Sequence, residues 1–301
     1  MERVICVATA EVKGFAKINL VLDVLRKRED GYHEVEMVMQ AVDLADKITI
    51  KPHKENRLET NHRYIPTDMN NLAMKAVALM QKEFPQIPPL LVKLEKKIPV
   101  AAGLAGGSAD CAAVMLGINY LFDLQLSLAD LEKLAAQLGS DIPFCLGGPT
   151  ALATGRGEFI QKLPDCPKLY FVLIKPEFGA STPKVYGNLR LQEIEEHPSV
   201  QACIDALTMA DGQKVLAALG NVLEWSTFEL YPKVKEIKCE LQDAGCAYVL
   251  MSGSGPTVFA GFTNKSEAEK CYQQFRKKYL QVFLTETVEE KDLEERVKIY
   301  E

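Results

Sequence analysis

A cluster of glycines at positions 103, 106 and 107 leads directly into an alanine-rich apolar stretch, and this junction limits the possible folds more than any other feature. The segment reads PVAAGLAGGSAD from Pro99 to Asp110 and continues as CAAVMLGINYLF. Apolar residues recur at helical spacing after the glycines, and serine is a good helix N-cap. The sequence therefore predicts a buried helix that starts at Ser108, immediately after a flexible loop.

Glycines ahead of a helix N-terminus let the backbone approach a ligand closely. The free N–H groups and partial positive charge of the helix N-terminus attract anions, so the loop predicts a cradle for phosphates. It lacks the lysine of a Walker A loop and the spacing of a dinucleotide fingerprint. The alternative is that the glycines only allow tight packing of helix against strand, and the loop taken alone leaves both interpretations open.

The remaining pattern predicts an α+β chain in two parts. Residues 1–100 combine β-rich runs with the helical stretch NNLAMKAVALMQKEF, and Ser127 with Asp130 predicts a capping box. A stretch rich in glycine and proline, 147–168, precedes the apolar strand LYFVLIKP, so we expect a domain boundary near residue 163. Later segments predict helices over 199–210, 212–223, 232–243 and 265–279, strands AYVLM and VFAGF joined by SGSGPT, and a solvated charged tail EEKDLEERVKIYE.

Composition narrows the classes of function. The chain has 301 residues, with Lys+Arg 35 against Asp+Glu 41 and a net charge of −6, which disfavours nucleic acid as a partner. The sequence contains no membrane-spanning or signal-like segment, so we expect a cytoplasmic protein with no membrane partner. The scattered cysteines lack metal-ligand spacing and predict buried free thiols, Cys6 among them. The oligomeric state is not defined by any sequence feature.

Six segments together resemble the GHMP small-molecule kinases along nearly the whole chain. They are AKINL (16–20), DGYH (30–33), the Pro99–Asp110 loop, GSDIPF (139–144), GRGE (155–158) and MSGSGPT (251–257). The resemblance implies a two-domain α+β GHMP kinase fold. Residues 1–163 would form an N-terminal domain like the second domain of ribosomal protein S5, and residues 164–301 a ferredoxin-like C-terminal domain. It also implies ATP as co-substrate with Mg²⁺, and a small cytidyl substrate held between the domains.

Within the GHMP kinases, the segments AKINL, DGYH and GSDIPF imply one activity. It is ATP-dependent phosphorylation of the 2-hydroxyl of 4-diphosphocytidyl-2-C-methyl-D-erythritol, a step of non-mevalonate isoprenoid biosynthesis. The alternatives are a GHMP kinase for another small alcohol, such as a mevalonate-type or homoserine-type acceptor, and a silent ATP-binding relative. A silent binder has no need of a proton acceptor, so Lys17 and Asp141 favour an active enzyme.

Phosphoryl transfer to a hydroxyl needs a carboxylate to accept the proton and a cation to neutralise the developing charge. Asp141 is the candidate base, because the family's catalytic aspartate falls on its Gly-Ser-Asp-Ile-Pro turn. Lys17 lies among apolar residues, and we assign it to orienting Asp141 and the reacting hydroxyl. The alternatives are that the Asp141 side chain only caps the next turn and that Lys17 extends from an edge strand into solvent.

The acceptor is assigned to five residues. Asn19 lies two positions from Lys17, hence on the same face of a strand, and is predicted to bind the methylerythritol hydroxyls. The resemblance assigns Tyr32 and His33 to the cytosine, with Tyr186 as a second stacking aromatic and Thr182 as a further substrate contact. Taken independently, a Tyr-His pair in a turn is more often structural.

For the nucleotide, the resemblance assigns Asn71, Leu72 and Lys96 to the adenine region, against the alternatives of a helix cap, a core leucine and a surface lysine. Ser108 is predicted to reach a phosphate or Mg²⁺, with Asp110 pointing outward. The Gly253–Gly255 turn would add backbone donors, and alanines in place of glycines predict a stiffer loop. The loop residues assigned to the phosphates are Pro99, Val100, Ala101, Ala102, Gly103, Leu104, Ala105, Gly106, Gly107, Ser108 and Ala109.

Overall fold

Two sheets with helices packed against them make up residues 8–300, the part of the chain that the computed structural model describes; Cys6 lies outside it. The strands are β1 (Thr9–Lys27), β2 (His33–Pro52), β3 (Arg57–Thr60), β4 (Leu90–Glu95), β5 (Thr150–Thr154), β6 (Phe159–Lys162), β7 (Tyr170–Ile174), β8 (Gly220–Asn221), β9 (Val249–Met251), β10 (Val258–Phe262), β11 (Val282–Glu286) and β12 (Val297–Tyr300). The helices are α1 (Leu72–Glu83), α2 (Gly106–Leu121), α3 (Leu128–Ala135), α4 (Ile142–Gly147), α5 (Thr182–Asn188), α6 (Val200–Thr208), α7 (Gly212–Ala217), α8 (Leu223–Leu230), α9 (Pro232–Asp243), α10 (Lys265–Phe275) and α11 (Glu290–Glu294), with a 3-10 turn at Leu191–Glu193.

The first sheet is built on the long antiparallel pair β1 and β2. Its strand order is β12-β1-β2-β4-β3, with β5 and β6 extending from β2 and β8 joining β1 in parallel. The ladder between β1 and β2 is irregular between Phe15 and Ala16 and again between Asn19 and Val21. Because β-bulges redirect side chains, these irregularities bracket the part of β1 that carries Lys17.

The second sheet is antiparallel with the order β11-β7-β10-β9. Counted within the sheet, this is the 4-1-3-2 order of a ferredoxin-like unit, in which α9 leads into β9 and α10 connects β10 to β11. The α+β class and the ferredoxin-like topology expected of the second half are therefore confirmed. The first sheet gives way to the second between Lys162 and Tyr170, although β8 and β12 return to the first sheet.

The hydrophobic cores explain why the two halves hold together. One core lies between the first sheet and helices α1 to α4, with Ile48, Met80 and Val114 fully buried or nearly so. Another core includes Ile18 of β1 together with Phe171 and Phe259 of the second sheet. Strand β1 is therefore buried on both faces from Ala16 to Val24, a stretch that contains the polar residues Lys17, Asn19 and Asp23.

Several local predictions can be compared with the structure. The capping box of Ser127 and Asp130 is confirmed at the start of α3. The helix expected over 212–223 ends at Ala217 and is followed by β8 and then α8, which the pattern missed. The tail is charged and none of its residues 289–300 is buried, as expected, but it is ordered, because β12 pairs with β1 and Val297 packs against the first core.

Within residues 8–300, no helix has the length and apolar character required to cross a membrane. The cysteines of this part of the chain are free thiols, as expected. Cys239, however, is exposed, so the expectation of burial is wrong for it. It lies on α9 two positions after Ile237, which points into the core, so helical spacing turns Cys239 outward.

Candidate active site

A cleft of about 990 Å³ runs between the two halves of the described chain. Its walls come from β1, the start of β2, the segment before α1, the glycine loop, the start of α4, α5 and the turn between β9 and β10. It brings together these predicted residues: Lys17, Tyr32, His33, Asn71, Leu72, Lys96, Pro99, Val100, Ala101, Ala102, Gly103, Ala105, Gly106, Gly107, Ser108, Asp141, Thr182 and Tyr186. Asn19, Leu104 and Ala109 do not line it, because their side chains are buried beneath its wall.

The glycine loop passes into helix earlier than predicted. Helix α2 begins at Gly106, and its N-cap position is Ala105 in the left-handed conformation, with no side-chain capping hydrogen bond. Ser108 is therefore in the first turn and not at the N-cap, so that prediction is wrong. Because the first N–H groups of a helix have no intrahelical partner and two glycines carry no side chain, this N-terminus can accept an anion closely.

The loop is held by the turn between β9 and β10. Ser252 Oγ donates to the Gly103 carbonyl at 3.0 Å, and the Thr257 N–H donates to the Ala102 carbonyl at 3.3 Å. Gly103 has a φ of +76°, and a Cβ there would lie 2.3 Å from the Ser252 carbonyl oxygen. A glycine is thus required at 103 both for its backbone conformation and for the close approach of the two loops.

Two polar residues hold the backbone of this turn by hydrogen bonds, and the sequence analysis missed both. Asn221 Nδ2 donates to the carbonyls of Met251 and Gly253, each at 2.8 Å. Glu224 Oε1 accepts the Met251 N–H at 2.9 Å, while Lys238 pairs with the same carboxylate at 2.6 Å. Burial raises the pKa of Glu224. The available signal was an Asn and a Glu within the otherwise apolar run that forms β8 and starts α8.

Lys17 of β1 is almost completely buried, with 4% of its surface exposed. Its Nζ donates to Asn19 Oδ1 at 2.7 Å, and its backbone N–H donates to the Leu104 carbonyl at 3.1 Å. The alternative of an edge-strand lysine in solvent is therefore excluded. A buried ammonium needs a polar partner, and Asn19 supplies one while the cleft lies on the other side.

Asp141 occupies the N-cap position of α4, but its side chain makes no capping hydrogen bond. Its backbone carbonyl accepts the Cys145 N–H at 3.3 Å, and its side chain lines the cleft that Lys17 also lines. The structure therefore excludes the alternative that the Asp141 carboxylate only caps the next turn. A carboxylate and an ammonium that line one cleft are the groups that proton removal and charge neutralisation require.

Asn19 is fully buried, and its Nδ2 donates to Met37 Sδ at 3.4 Å. It shares a face with Lys17, as the strand spacing predicted. Both polar ends of its amide are engaged within the protein, so in this structure Asn19 supports Lys17. Its direct contact with the acceptor stays a prediction.

The aromatic residues cluster at one end of the cleft. The rings of His33 and Tyr186 lie 5.2 Å apart, whereas the half-exposed Tyr32 ring is covered by the Arg156 guanidinium at 5.0 Å. Thr182 Oγ1 is 2.8 Å from Ser254 Oγ, which links α5 to residues 252–255 of the turn between β9 and β10, here named the SGSG turn. Burial, and next Lys27, lower the pKa of His33. The neutral imidazole that results has one donor and one acceptor nitrogen.

The opposite end of the cleft lies at the start of α1. Asn71 Oδ1 accepts the Ala73 N–H at 2.9 Å and so caps this helix, while Asn71 Nδ2 donates to the Pro66 carbonyl at 2.8 Å. Leu72 lines the cleft beside this cap, together with Tyr64 and Ile65 of the preceding segment. Sequence reasoning missed this segment, although an exposed tyrosine ahead of a proline was a usable signal.

Lys96 is part of a buried charged cluster beneath the glycine loop. Its Nζ donates to Asp46 Oδ2 and to Asp110 Oδ2, the latter at 2.8 Å, and all three side chains are at most 5% exposed. The expectation that Asp110 points outward and the alternative of a surface lysine are both wrong, because the helix turns Asp110 onto the Lys96 side. Burial raises the pKa of Asp110.

Asp46 also accepts the backbone N–H groups of Lys97 and Ile98, at 2.6 and 2.9 Å. The cluster therefore joins β2, the end of β4 and the first turns of α2.

Among residues 8–300, no group of three or more His, Cys, Asp or Glu side chains is placed to hold a metal ion. The Ser108 hydroxyl, in the cleft wall, is the kind of oxygen ligand that Mg²⁺ accepts.

Two family models match the chain. The GHMP kinases N terminal domain matches residues 71–149, and the GHMP kinases C terminal domain matches residues 187–281. The first match contains the glycine loop and Asp141, and the second contains the SGSG turn.

Curated relatives match over most of their length. A 4-diphosphocytidyl-2-C-methyl-D-erythritol kinase from Bacillus velezensis is 48% identical over 266 residues, covering 88% of this chain and 92% of the relative. The enzymes of that name from Brevibacillus brevis and Exiguobacterium sibiricum are 47% and 48% identical, covering 88% and 89% of this chain and 91% and 94% of each relative.

A comparison with solved structures agrees with the curated relatives. A crystal structure of 4-(cytidine 5'-diphospho)-2C-methyl-D-erythritol kinase superimposes with a TM-score of 0.78 at 32% identity, covering 92% of this chain and 98% of that one. A homoserine kinase from Cytophaga hutchinsonii gives a TM-score of 0.70 at 19% identity, covering 96% and 97%. The second likeness concerns the fold alone.

Proposed function

Since this chain belongs to the 4-diphosphocytidyl-2-C-methyl-D-erythritol kinases within the GHMP kinase family, we propose that its cleft transfers the γ-phosphoryl group of ATP to the 2-hydroxyl of that cytidyl substrate. The chain is an ATP-dependent kinase with a small-molecule alcohol acceptor. The observation that carries the proposal is that Lys17, Asp141 and the uncapped N-terminus of α2 face one cleft.

In this mechanism Asp141 accepts the proton of the 2-hydroxyl as the hydroxyl oxygen attacks the γ-phosphorus. The bond from the γ-phosphorus to the β,γ-bridging oxygen breaks, and ADP leaves with the electron pair. Support comes from a carboxylate that lines the cleft without capping its own helix. The Lys17 ammonium, held by Asn19, orients Asp141 and the reacting oxygen and neutralises charge on the transferred group. The N–H groups at the start of α2 receive the phosphates of ATP, whose charge the helix N-terminus favours.

Mg²⁺ enters with ATP as part of the substrate, and we infer that phosphate oxygens supply most of its ligands with Ser108 as a protein contact. Asn71 and Leu72, which line the cleft at the start of α1, are assigned to adenine. Lys96 is assigned to the same region, and its ammonium is held by Asp46 and Asp110 beneath the glycine loop. Because ATP is a cytoplasmic co-substrate, we place the reaction in the cytoplasm. We also assign residues 1–163 and 164–301 to the two domains that hold the substrates between them.

At the acceptor end, Tyr32, His33 and Tyr186 are assigned to the cytosine and Thr182 to the same substrate. A neutral imidazole can bond one donor and one acceptor on the base edge, and burial keeps His33 neutral near pH 7. Tyr186 supplies an aromatic face beside it.

The experiment is ADP release with MgATP and 4-diphosphocytidyl-2-C-methyl-D-erythritol, in parallel with mevalonate, phosphomevalonate and homoserine. Turnover of the cytidyl substrate alone is expected. Turnover of another acceptor would reassign the substrate, and ATP binding without turnover of any acceptor would favour a silent relative.

Asp141→Asn tests the assigned base in the same assay. We expect kcat to fall by about 10²–10⁴-fold, because the proton acceptor is lost with little change in volume. Calorimetric ATP binding should stay within about twofold of the unmodified chain. A variant that keeps normal turnover would refute the assignment of Asp141.

A further inference from the structure

The C-terminal segment returns from the second sheet to the first and lies against the elements that carry Lys17 and Asp141. After β11, the Val288 N–H donates to the Ala41 carbonyl at 3.0 Å, so the chain crosses back onto β2. Helix α11 follows, and β12 then pairs antiparallel with β1 from Thr9 to Val12. The segment from Val288 to Tyr300 is thus part of the first sheet's structure.

Arg296 lies just before β12 and joins two elements. Its carbonyl accepts the Lys13 N–H at 3.0 Å, which extends the pairing with β1. Its guanidinium donates from Nη1 to the Cys145 carbonyl at 3.0 Å and from Nη2 to the Leu146 carbonyl. The last carbonyls of a helix have no intrahelical hydrogen-bond donor, and a cation is favourable near them. Arg296 therefore supplies both hydrogen bonds and positive charge to the C-terminal end of α4.

The other end of this short helix is Asp141. Helix α4 has six residues, a length of about 9 Å at 1.5 Å per residue, and its Ile142 and Phe144 are almost fully buried. A short helix packed in this way moves as a unit. A shift at its last carbonyls therefore displaces the carboxylate at its start.

We propose that Arg296 is a positioning residue for phosphoryl transfer, which fixes the helix that carries Asp141 against the strand that carries Lys17. The inference rests on the proposed function, because it gives Asp141 and Lys17 their catalytic roles. The two carbonyls require a planar fork of donors, which arginine supplies and lysine does not. Burial lowers the pKa of Arg296 only to about 10, so the guanidinium stays charged at neutral pH.

The test compares Arg296→Met and Arg296→Lys with the unmodified chain, using ADP release with MgATP and the cytidyl substrate. A small displacement of a catalytic group costs up to about 10²-fold in rate, so we expect kcat to fall about 10–100-fold in Arg296→Met. Both KM values should stay within about twofold, and Arg296→Lys should recover part of kcat. Arg276→Met, which removes an exposed arginine directly after α10, is the control and should be unchanged.

The decisive readout is the same substitution in the Asp141→Asn background. If Arg296 acts through Asp141, Arg296→Met should lower the residual rate less than about twofold there. An equal fold-loss in both backgrounds, or a change confined to KM, overturns the proposal. If Arg296→Met does not fold, Arg296→Lys is the test. We expect its kcat to be at least about threefold lower than that of the unmodified chain, and this loss should be absent in the Asp141→Asn background. An unchanged kcat overturns the proposal.

Failure of the proposed function gives a different result. If the unmodified chain turns over another acceptor, the substrate assignment fails, while the effect of Arg296 is measured on that acceptor. If it turns over no acceptor, both proposals are overturned.

Discussion

His33 faces the ring of Tyr186 at one end of the cleft, and burial with the nearby Lys27 lowers its pKa below the ordinary value of 6.5. The neutral form therefore persists through pH 7 and is lost as pH falls below that range. Protonation removes the acceptor nitrogen that a cytosine amino group would use.

We therefore expect the KM for the cytidyl substrate to be constant from pH 8 to 6.5 and to rise about 5–10-fold as pH falls to 5, the loss of roughly one hydrogen bond. His33→Asn should have a high KM at pH 7.5 and a flat pH profile. The KM for ATP, measured in the same series, is the control. An identical pH dependence in His33→Asn would contradict the assignment.

Asp110 shares the Lys96 ammonium with Asp46, and its Oδ1 is buried without a hydrogen-bond partner in the part of the chain described. Burial raises its pKa above the ordinary value of 3.8, so the folded chain retains this proton to higher pH than the unfolded chain. The folded state then binds more protons between the two pKa values. Its stability accordingly falls as pH rises through that interval.

Asp110→Asn keeps an acceptor for Lys96 and removes the titration. Its free energy of unfolding relative to the unmodified chain should rise by about 1–3 kcal/mol between pH 5 and 8, measured by urea unfolding at each pH. Asp165→Asn, at an exposed position, should show no such trend. Parallel pH curves for Asp110→Asn and the unmodified chain would refute the raised pKa.

At the scale of elements, the glycine loop shows a conflict between sequence preference and backbone conformation. Ala101 and Ala105 have φ values of 51° and 54°, which alanine adopts only with strain. The greater stiffness expected of an alanine-containing loop stays a prediction. Neighbouring elements must hold the loop in this form, and the SGSG turn bonds directly to it.

Gly103→Ala should break this contact, because its Cβ would meet the Ser252 carbonyl oxygen at 2.3 Å in a left-handed conformation. We expect a loss of about 3 kcal/mol in unfolding free energy and a higher KM for ATP. Gly107→Ala is the control for stability, because its Cβ would only contact Leu72 at 3.6 Å. Equal stability of the two variants, measured by urea unfolding, would exclude the clash.

At the scale of the whole molecule, the two halves depend on each other. Strands β8 and β12 come from the second half of the chain but pair with β1, and Ile18, Phe171 and Phe259 share one core. The cleft lies where the halves meet, so a stable cleft requires both.

A fragment of residues 1–163 is therefore expected not to unfold cooperatively on its own, since it lacks two strands of its sheet and the turn that holds the glycine loop. Co-expression with residues 164–301 should restore a cooperative thermal transition and ATP binding. Circular dichroism and calorimetry measure both, with the full chain as reference. A cooperative transition in the fragment alone would show that it is an autonomous domain.

Much of this organisation was predictable because it depends on local pattern. The capping box at Ser127 and the loop-to-helix junction follow from spacing and turn chemistry, which act between neighbours in sequence. The ferredoxin-like second half was implied by the resemblance to the GHMP kinases, and the strand order of the second sheet confirms it. Element bounds were less predictable. Helix α2 begins at Gly106 because tertiary contacts hold Ala105 in a conformation that its own preference disfavours.

The sequence by itself determined the α+β class and the glycine loop that leads into an apolar helix, because composition, periodicity and motifs are local. Only the tertiary structure decided which residues meet: Lys96 contacts the carboxyl groups of Asp46 and Asp110, and the charged tail pairs with β1. These contacts join residues far apart in sequence. Their partners are chosen by burial and packing in three dimensions, which no local pattern encodes.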